Sequence, residues 1–303
     1  IIPFRSKRSS HAYQSIWTRR GSPLLVHCED LCQELQKTMG PEYQFELGMR
    51  YGQPSIEKAF HNFLNQDLKQ IIVVPLYPQY AEATTLTAVH KMREILSNLG
   101  WTQPVIILRE FYKASEFIDS QSSLIEKTIE NVSKIDHFLF SFHGLPERHL
   151  RKVAPESKGC LMGLKIPKCE TLCNPLCYCG QCYITAREIA KKLNIPVENY
   201  SVGFQSRLGR DKWLTPSTLE VLKKILSFDK KNIVTICPSF SVDCLETLEE
   251  IGISLKSTFK EMGGDGFYSI PSLNSSEIWV ENLSKLIKKI ENRDKELICL
   301  NLS

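Results

Sequence analysis

The sequence lacks the features that mark several common protein classes. It contains no G-x-G-x-x-G and no G-x-x-x-x-G-K-[ST] motif, so dinucleotide-binding and P-loop interpretations lose their main support. No run of 18 or more apolar residues occurs, and no segment is therefore predicted to span a membrane. The net charge of +4 is too small to indicate nucleic-acid binding. Internal repeats and low-complexity tracts are also absent.

Short apolar runs alternate with amphipathic stretches along the 303 residues. Such βα alternation favours an α/β fold with parallel sheets covered by helices on both faces. The chain is long enough for two such sheets, and we expect a division near residue 120. The predicted strands are Phe45–Met49, Ile71–Tyr77, Val105–Leu108, His137–Phe142, Tyr200–Phe204, Asn232–Cys237 and Phe267–Ile270. The predicted helices are Ile56–Leu64, Thr85–Leu99, Glu116–Val132, Thr185–Leu193, Pro216–Leu226, Val242–Met262 and Glu277–Ile290.

Polar and aromatic residues follow several of the predicted strands, at the edge where open α/β sheets bind ligands. His143 follows an apolar strand directly and precedes Gly144, which favours a proton-transfer or metal-binding imidazole over a turn-capping one. Arg50, Tyr51, Tyr80, Gln205 and Trp213 supply a guanidinium, an amide and flat aromatic faces at the same edge. Taken singly, such residues are more often part of a core or a rim than ligand contacts.

Asp243, Glu246 and Glu250 are spaced i, i+3, i+7 and would lie along one face of a helix. A row of carboxylates can relay protons or guide a hard cation. The alternative is an acidic first turn that complements the helix dipole.

Six of the eleven cysteines fall within 23 residues: Cys160, Cys169, Cys173, Cys177, Cys179 and Cys182. Thiolates this close repel one another unless a metal neutralises them or they stay protonated. The segment therefore predicts an iron–sulfur cluster, with structural zinc and redox-active dithiols as the alternatives.

Six motifs in this order resemble the ferrochelatase family: YQSIWTRRGSPL, GMRYGQP, VVPLYPQYAEATT, SFHGLPERHLRK, GFQSRLGRDKWLTP and CPSFSVDCLETLEEI. The resemblance extends from Ala12 to about Ile290. It implies two Rossmann-like halves of the class II chelatase kind, with a porphyrin cleft between them. The halves would be residues 1–120 and 121–275, with a C-terminal helix at about 276–291 packing back on the first half. The family's opening strand and glycine-rich loop have no counterpart here, so we expect the chain to be truncated at its start.

The implied activity is insertion of Fe²⁺ into protoporphyrin IX with release of two protons, a lyase reaction of haem biosynthesis that needs no nucleotide. His143 and Glu246 match the metal-insertion site, and Asp243 and Glu250 match an acidic path leading from it. Arg50, Tyr51, Tyr80, Gln205 and Trp213 match positions that line the cleft.

The cysteine segment, at 159–182, resembles that of bacterial ferrochelatases with an internal [2Fe–2S] cluster. We favour Cys160, Cys169, Cys177 and Cys182 as ligands, with Cys173 and Cys179 in reserve. We expect a cytoplasmic location with peripheral contact to the inner membrane, while the oligomeric state stays open. The alternatives are coproporphyrin III as substrate, another class II chelatase, and a non-enzymatic haem or porphyrin carrier that senses iron.

Overall fold

The computed structural model describes residues 10–153, 174–294 and 297–302, which form two β-sheets with helices around them. One sheet has the strand order β1-β2-β7 and the other the order β4-β3-β5-β6. The strands are β1 Ile71–Val73, β2 Val105–Leu108, β3 His137–His143, β4 Tyr200–Gln205, β5 Asn232–Ile236, β6 Gly266–Ser269 and β7 Cys299–Asn301.

Five of the predicted helices lie within a few residues of their predicted ends. The helix predicted at Thr185–Leu193 begins at Tyr178, the one predicted at Val242–Met262 is π-helical over much of its length, and Pro23–Met39 was not predicted. Two stretches are π-helical: Glu82–Leu86 and Glu246–Leu255. The α-helices are α1 Pro23–Met39, α2 Ile56–Phe63, α3 Thr87–Asn98, α4 Ser115–Ile129, α5 Glu147–Val153, α6 Tyr178–Lys192, α7 Thr218–Ser227, α8 Lys256–Glu261 and α9 Glu277–Glu291.

The four-stranded sheet is parallel throughout. Its central strand β3 reads HFLFSFH, and Leu139, Phe140 and Phe142 on it are fully buried. Strands that are apolar on both faces need cover on both faces, which helices provide in α/β folds. The predicted α/β class with helix-flanked parallel sheets is confirmed.

The three-stranded sheet pairs β1 and β2 in parallel and adds β7 antiparallel at the edge of β2. All four residues of β2 are buried. Strand β7, near the end of the chain, was not predicted, because three residues of mixed polarity give no periodic signal.

Helix α9 packs against α1 and α4. Its Trp279 is fully buried and lies against the rings of Phe111 and Phe117. The predicted division near residue 120 falls within α4, and the domain boundary stays a prediction.

The predicted strand at Phe45–Met49 is wrong. The Phe45 N–H donates to the side-chain amide of Gln36, and the Met49 N–H donates to the Pro54 carbonyl across the following loop. Because these amides are bonded locally, they are not available for a strand ladder.

Candidate functional site

The candidate site lies at the carboxyl ends of the parallel strands. β3 ends at His143 and β4 at Gln205, and these two residues are register partners. After β5 the chain turns through Ser239 and Phe240, whose ring centroid lies 6.1 Å from that of His143. The edge of the sheet thus brings together residues that are far apart in the sequence.

His143 is half-buried and its ring is oriented by the next residue. Nδ1 lies 2.6 Å from the carbonyl oxygen of Gly144, which can only accept, so Nδ1 carries the proton of the neutral ring. No described residue hydrogen-bonds Nε2. The imidazole therefore presents an unprotonated nitrogen for a proton or a metal ion.

Gly144 allows the close packing that holds this strand end. A Cβ at this position would lie 2.7 Å from the carbonyl oxygen of Gln205 and 3.2 Å from the Trp213 ring. Trp213 thus packs beside His143. Its Nε1 is buried and has no hydrogen-bond partner among the described residues, which leaves one donor for a ligand.

Gln205 joins the strand ends to the acidic segment. Its Oε1 accepts from the hydroxyl of Ser141 at 2.6 Å, which fixes the amide orientation. Its Nε2 then donates to the main-chain oxygen of Glu246 at 2.9 Å and lies 3.4 Å from Glu250 Oε2. The register partner of His143 therefore holds the carboxylate-bearing segment at the same edge.

The carboxylates of Asp243, Glu246 and Glu250 differ in the hydrogen bonds that they accept from the protein. Asp243 is 4% exposed, and it accepts from the Thr247 hydroxyl, the Ser272 N–H and the Asn274 amide at 2.8–3.1 Å. Its carboxylate is thus engaged by fixed donors, as in a structural anchor. Asp243 lines one wall of a cleft of about 450 Å³, which it shares with Ile16 and Gly252.

Glu250 accepts from the N–H and the hydroxyl of Ser206, at 2.7 and 2.6 Å. Ser206 adopts φ 64°, which turns both groups toward this carboxylate. Glu246 is half-buried. Tyr13 and Cys244 lie near it. Burial is the main cause that raises the pKa of each, and the negative charge of Glu246 raises both further.

Arg50 and Tyr51 form a separate group. The Arg50 guanidinium lies 4.6 Å from the centroid of the Tyr51 ring, which is 76% exposed. Arg50 Nε is buried without a hydrogen-bond partner, and no described carboxylate pairs with this side chain. A guanidinium left in this state suits an anionic ligand group.

Tyr80 is 7% exposed, and its ring faces the Arg109 guanidinium at 5.5 Å. Its main-chain N–H donates to Gln181 Oε1 at 2.7 Å, which ties this segment to α6. Burial raises the pKa of the Tyr80 hydroxyl. The ring is thus largely enclosed by protein.

Cys177 and Cys182 are buried at the start of α6, and Cys179 between them is half-buried. Burial raises the pKa of Cys182 well above its usual value, and the neighbouring thiols of Cys179 and Cys177 add to it. The described part of the chain holds no group of three or more side chains that could bind a metal ion. Predicted ligands Cys160 and Cys169, and the reserve Cys173, lie outside the described residues.

Sequence reasoning assigned no role to several residues at this edge. Tyr178 is 7% exposed and its hydroxyl donates to the main-chain oxygen of His143 at 2.8 Å. Ser239 accepts from the His143 N–H at 3.1 Å. Tyr13 and Phe240 belong to motifs that were recognised, and their place within those motifs was the available signal. Tyr178 lies between Cys177 and Cys179, and the sequence pattern there indicated a role for the thiols but none for the phenol.

No helix in the described ranges combines the length and the hydrophobicity needed to cross a membrane.

Comparisons with known proteins agree on one family. The family model described as ferrochelatase matches residues 1–290. The ferrochelatase of Coxiella burnetii (strain Dugway 5J108-111) is 44% identical over 295 residues, covering 95% of this chain and 80% of the relative. The ferrochelatase of Legionella pneumophila (strain Lens) is 39% identical over 299 residues, covering 95% of this chain and 85% of the relative.

Among solved structures, SirB from Bacillus subtilis with Fe³⁺ aligns with a TM-score of 0.58 at 12% identity, covering 91% of this chain and 94% of that one. The sirohydrochlorin chelatase SirB from Bacillus subtilis subspecies spizizenii, in complex with cobalt, aligns with a TM-score of 0.55 at 11% identity, covering 88% and 90%. At these identities the likeness shows a shared fold, in agreement with the predicted chelatase architecture.

Proposed function

The chain belongs to the ferrochelatase family, and we propose that it inserts Fe²⁺ into protoporphyrin IX and releases two protons to form protohaem. The observation that carries this proposal is the pairing of His143 with Gln205, whose amide holds the Glu246–Glu250 segment. A base and a pair of acids are thereby kept at one edge of the sheet. Metal insertion needs such a set, because two pyrrole N–H protons must leave as the cation enters.

His143 is the proposed first proton acceptor. The hydrogen bond from Nδ1 to Gly144 leaves Nε2 free, so the imidazole accepts a pyrrole proton without changing its orientation. Glu246, half-buried and beside Tyr13, is the proposed partner for the entering Fe²⁺ or for the second proton. Glu250, about one helical turn further, would pass protons away from the site.

Asp243 belongs to the predicted path, and we propose that it contributes mainly by holding the start of the acidic segment. Its three donors occupy the carboxylate in the resting protein. We propose further that Arg50 and Trp213 bind the polar edge of the porphyrin, because each carries a buried N–H without a partner among the described residues. Tyr51, whose ring is exposed, would complete the cleft lining, while the enclosed Tyr80 and Gln205 would support it from within the protein.

The substrate is tested by supplying Fe²⁺ with protoporphyrin IX and with coproporphyrin III in parallel reactions. We expect faster insertion into protoporphyrin IX. A preference for coproporphyrin III would identify the alternative substrate, and uptake of no more than one haem per chain would favour the carrier. Cobalt insertion into a precorrin-like ring, without insertion into either porphyrin, would favour another class II chelatase.

We also propose that the cysteine segment binds a [2Fe–2S] cluster. Cys177 and Cys182 fit as two of its ligands, since both thiols are buried and neighbouring thiols raise the pKa of Cys182. A bound cation would stabilise the thiolates that burial otherwise disfavours. The cluster would stabilise the fold or report iron supply, because metal insertion transfers no net electrons.

Absorption in the visible range and an electron paramagnetic resonance signal after reduction test this cluster. Colourless protein with stoichiometric zinc would contradict it. Chelator-induced unfolding would indicate a structural role, whereas an intact fold with lost activity would favour iron sensing.

We propose peripheral membrane contact through the exposed side chains of Trp17 and Leu208, near the basic Arg19 and Arg207 in sequence. Exposed apolar side chains beside cationic groups are typical of surfaces that bind anionic bilayers. Sedimentation with anionic and with neutral vesicles tests this proposal, and equal absence from both vesicle pellets would contradict it.

A further inference from the structure

Both main-chain polar groups of His143 are bonded by side chains. The His143 N–H donates to Ser239 Oγ at 3.1 Å, and the hydroxyl of Tyr178 donates to the His143 carbonyl oxygen at 2.8 Å. The two hydroxyl oxygens lie 3.3 Å apart. These contacts close a small ring of hydrogen bonds around the backbone of His143.

Which group donates in each of these hydrogen bonds follows from the chemistry of the groups. A carbonyl oxygen only accepts, so the proton of Tyr178 is committed to His143. Ser239 Oγ accepts from an N–H, which leaves the Ser239 proton free for the oxygen of Tyr178. Each hydroxyl thus donates once and accepts once. Tyr178 is 7% exposed, and a buried hydroxyl that lost this arrangement would carry a desolvation cost.

This ring of hydrogen bonds lies next to the carbonyl group that orients the imidazole. The carbonyl bonded by Tyr178 belongs to the peptide that links His143 to Gly144. The next carbonyl, that of Gly144, accepts from Nδ1 of the His143 ring at 2.6 Å. The N–H of the first peptide donates to the Gln205 carbonyl oxygen at 2.8 Å, and Tyr178 holds its carbonyl, so the two bonds together fix the peptide plane next to the acceptor of Nδ1. Without the Tyr178 bond only one of these two constraints is left, and we expect the orientation and the tautomer of His143 to vary more.

We propose that Tyr178 is a positioning residue that keeps Nε2 of His143 unprotonated and aimed at the bound macrocycle. The proposal rests on the proposed role of His143 as proton acceptor. Tyr178 lies on α6 and does not itself contact the reacting atoms. Its hydroxyl acts through the main chain of His143 and through Ser239, and it also lies against the buried thiol of Cys182. Ser239→Ala leaves that thiol contact in place and therefore serves as the second variant.

The test compares Tyr178→Phe with Tyr200→Phe. Tyr200 lies at the opposite end of the sheet, at the start of β4, so its variant removes the same oxygen away from the site. We expect Tyr178→Phe to lower kcat about tenfold, because small displacements of a catalytic group are costly. The KM for protoporphyrin IX should stay within about twofold, since no cleft contact is lost. Tyr200→Phe should leave both constants unchanged.

The readout that a purely structural role would not change is the tautomer of His143. With ¹⁵N-labelled histidine, the His143 ring signals, assigned by their loss in His143→Ala, should report Nδ1–H in the wild type and a mixture in Tyr178→Phe. Ser239→Ala removes the second hydroxyl that bonds the main chain of His143 and should give the same mixture of tautomers. In the Tyr178→Phe/Ser239→Ala double variant, kcat should fall little further than in either single variant, because the two hydroxyls form one unit.

Equal kcat and equal ring signals in Tyr178→Phe and Tyr200→Phe would overturn the proposal. A parallel loss of kcat and porphyrin affinity with wild-type ring signals would also overturn it. Should Tyr178→Phe fail to fold, the Ser239→Ala spectrum decides alone. Absence of iron insertion by the wild type would refute the proposed function, while the spectra would still decide whether Tyr178 sets the tautomer.

Discussion

Strand β3 carries a histidine at each end, and the two differ in almost every respect. His137, at the amino end, is 4% exposed and uses both ring nitrogens: Nε2 bonds Ser201 at 2.8 Å, and Nδ1 accepts from the Lys230 ammonium at 3.1 Å. His143, at the carboxyl end, is half-buried and leaves Nε2 open. The neutral rings therefore carry their protons on opposite nitrogens.

The comparison separates a structural histidine from a functional one on a single strand. Burial lowers the pKa of His137 to about 4, and the charge of Lys230 contributes further. A ring held neutral between fixed partners cannot exchange protons near neutral pH. The carboxyl end of the sheet instead offers a ring nitrogen that no described residue hydrogen-bonds, at the edge where α/β sheets bind ligands.

The largest expected effect comes from removing the functional ring. His143→Ala should lower iron insertion by about 10²–10⁴-fold, because it removes the proposed general base, while porphyrin binding measured by fluorescence is retained. His137→Asn is the matched control and should keep insertion within a few-fold of the wild type. Turnover near the wild-type rate in His143→Ala would remove this imidazole from the mechanism.

A smaller loss of activity should follow from crowding the carboxyl end of β3. Gly144→Ala places a Cβ 2.7 Å from the Gln205 oxygen and 3.2 Å from Trp213, so the strand end must shift. We expect a destabilisation of about 1–3 kcal/mol, measured by urea unfolding, together with a fall in kcat. Unchanged stability and kcat would show that the neighbouring side chains can move without cost.

The sequence indicated much of this arrangement, since apolar runs located β3, β4 and β5 and therefore the strand ends. It could not distinguish the acids, because the i, i+3, i+7 spacing predicts one helix face, whereas Asp243 precedes the helical stretch that begins near Glu246. The spacing also does not reveal which carboxylate is enclosed by donors from distant segments. Ser272 and Asn274, which bond Asp243, lie about 30 residues further along the chain. For the same reason the contact between Tyr178 and His143, which joins residues 35 positions apart, had no sequence signal.

The enclosed acid and the open acid should also separate by experiment. Asp243→Asn should lower the free energy of unfolding by about 1–3 kcal/mol, because the new NH₂ group replaces one of the two accepting oxygens. It must then face either the Thr247 hydroxyl and the Ser272 N–H, which share Oδ1, or the Asn274 amide at Oδ2. Glu246→Gln should lower kcat and leave the unfolding free energy close to that of the wild type. Reversal of these two results would make Asp243 the reacting acid and Glu246 the anchor.

The smallest expected effect on activity concerns the structural histidine, whose contribution is to the pH dependence of stability. In the unfolded chain a histidine titrates near ~6.5, whereas the pKa of His137 in the folded protein is about 4. Between these values the unfolded chain binds a proton that the folded protein excludes, so acidification favours unfolding. The contribution of His137 is complete above pH ~6.5 and is lost as the pH falls toward 4, by up to about 3 kcal/mol. Urea unfolding of the wild type and of His137→Asn at several pH values measures this slope. Its disappearance in the variant would assign it to His137, and an identical slope in both proteins would place it among the acidic residues instead.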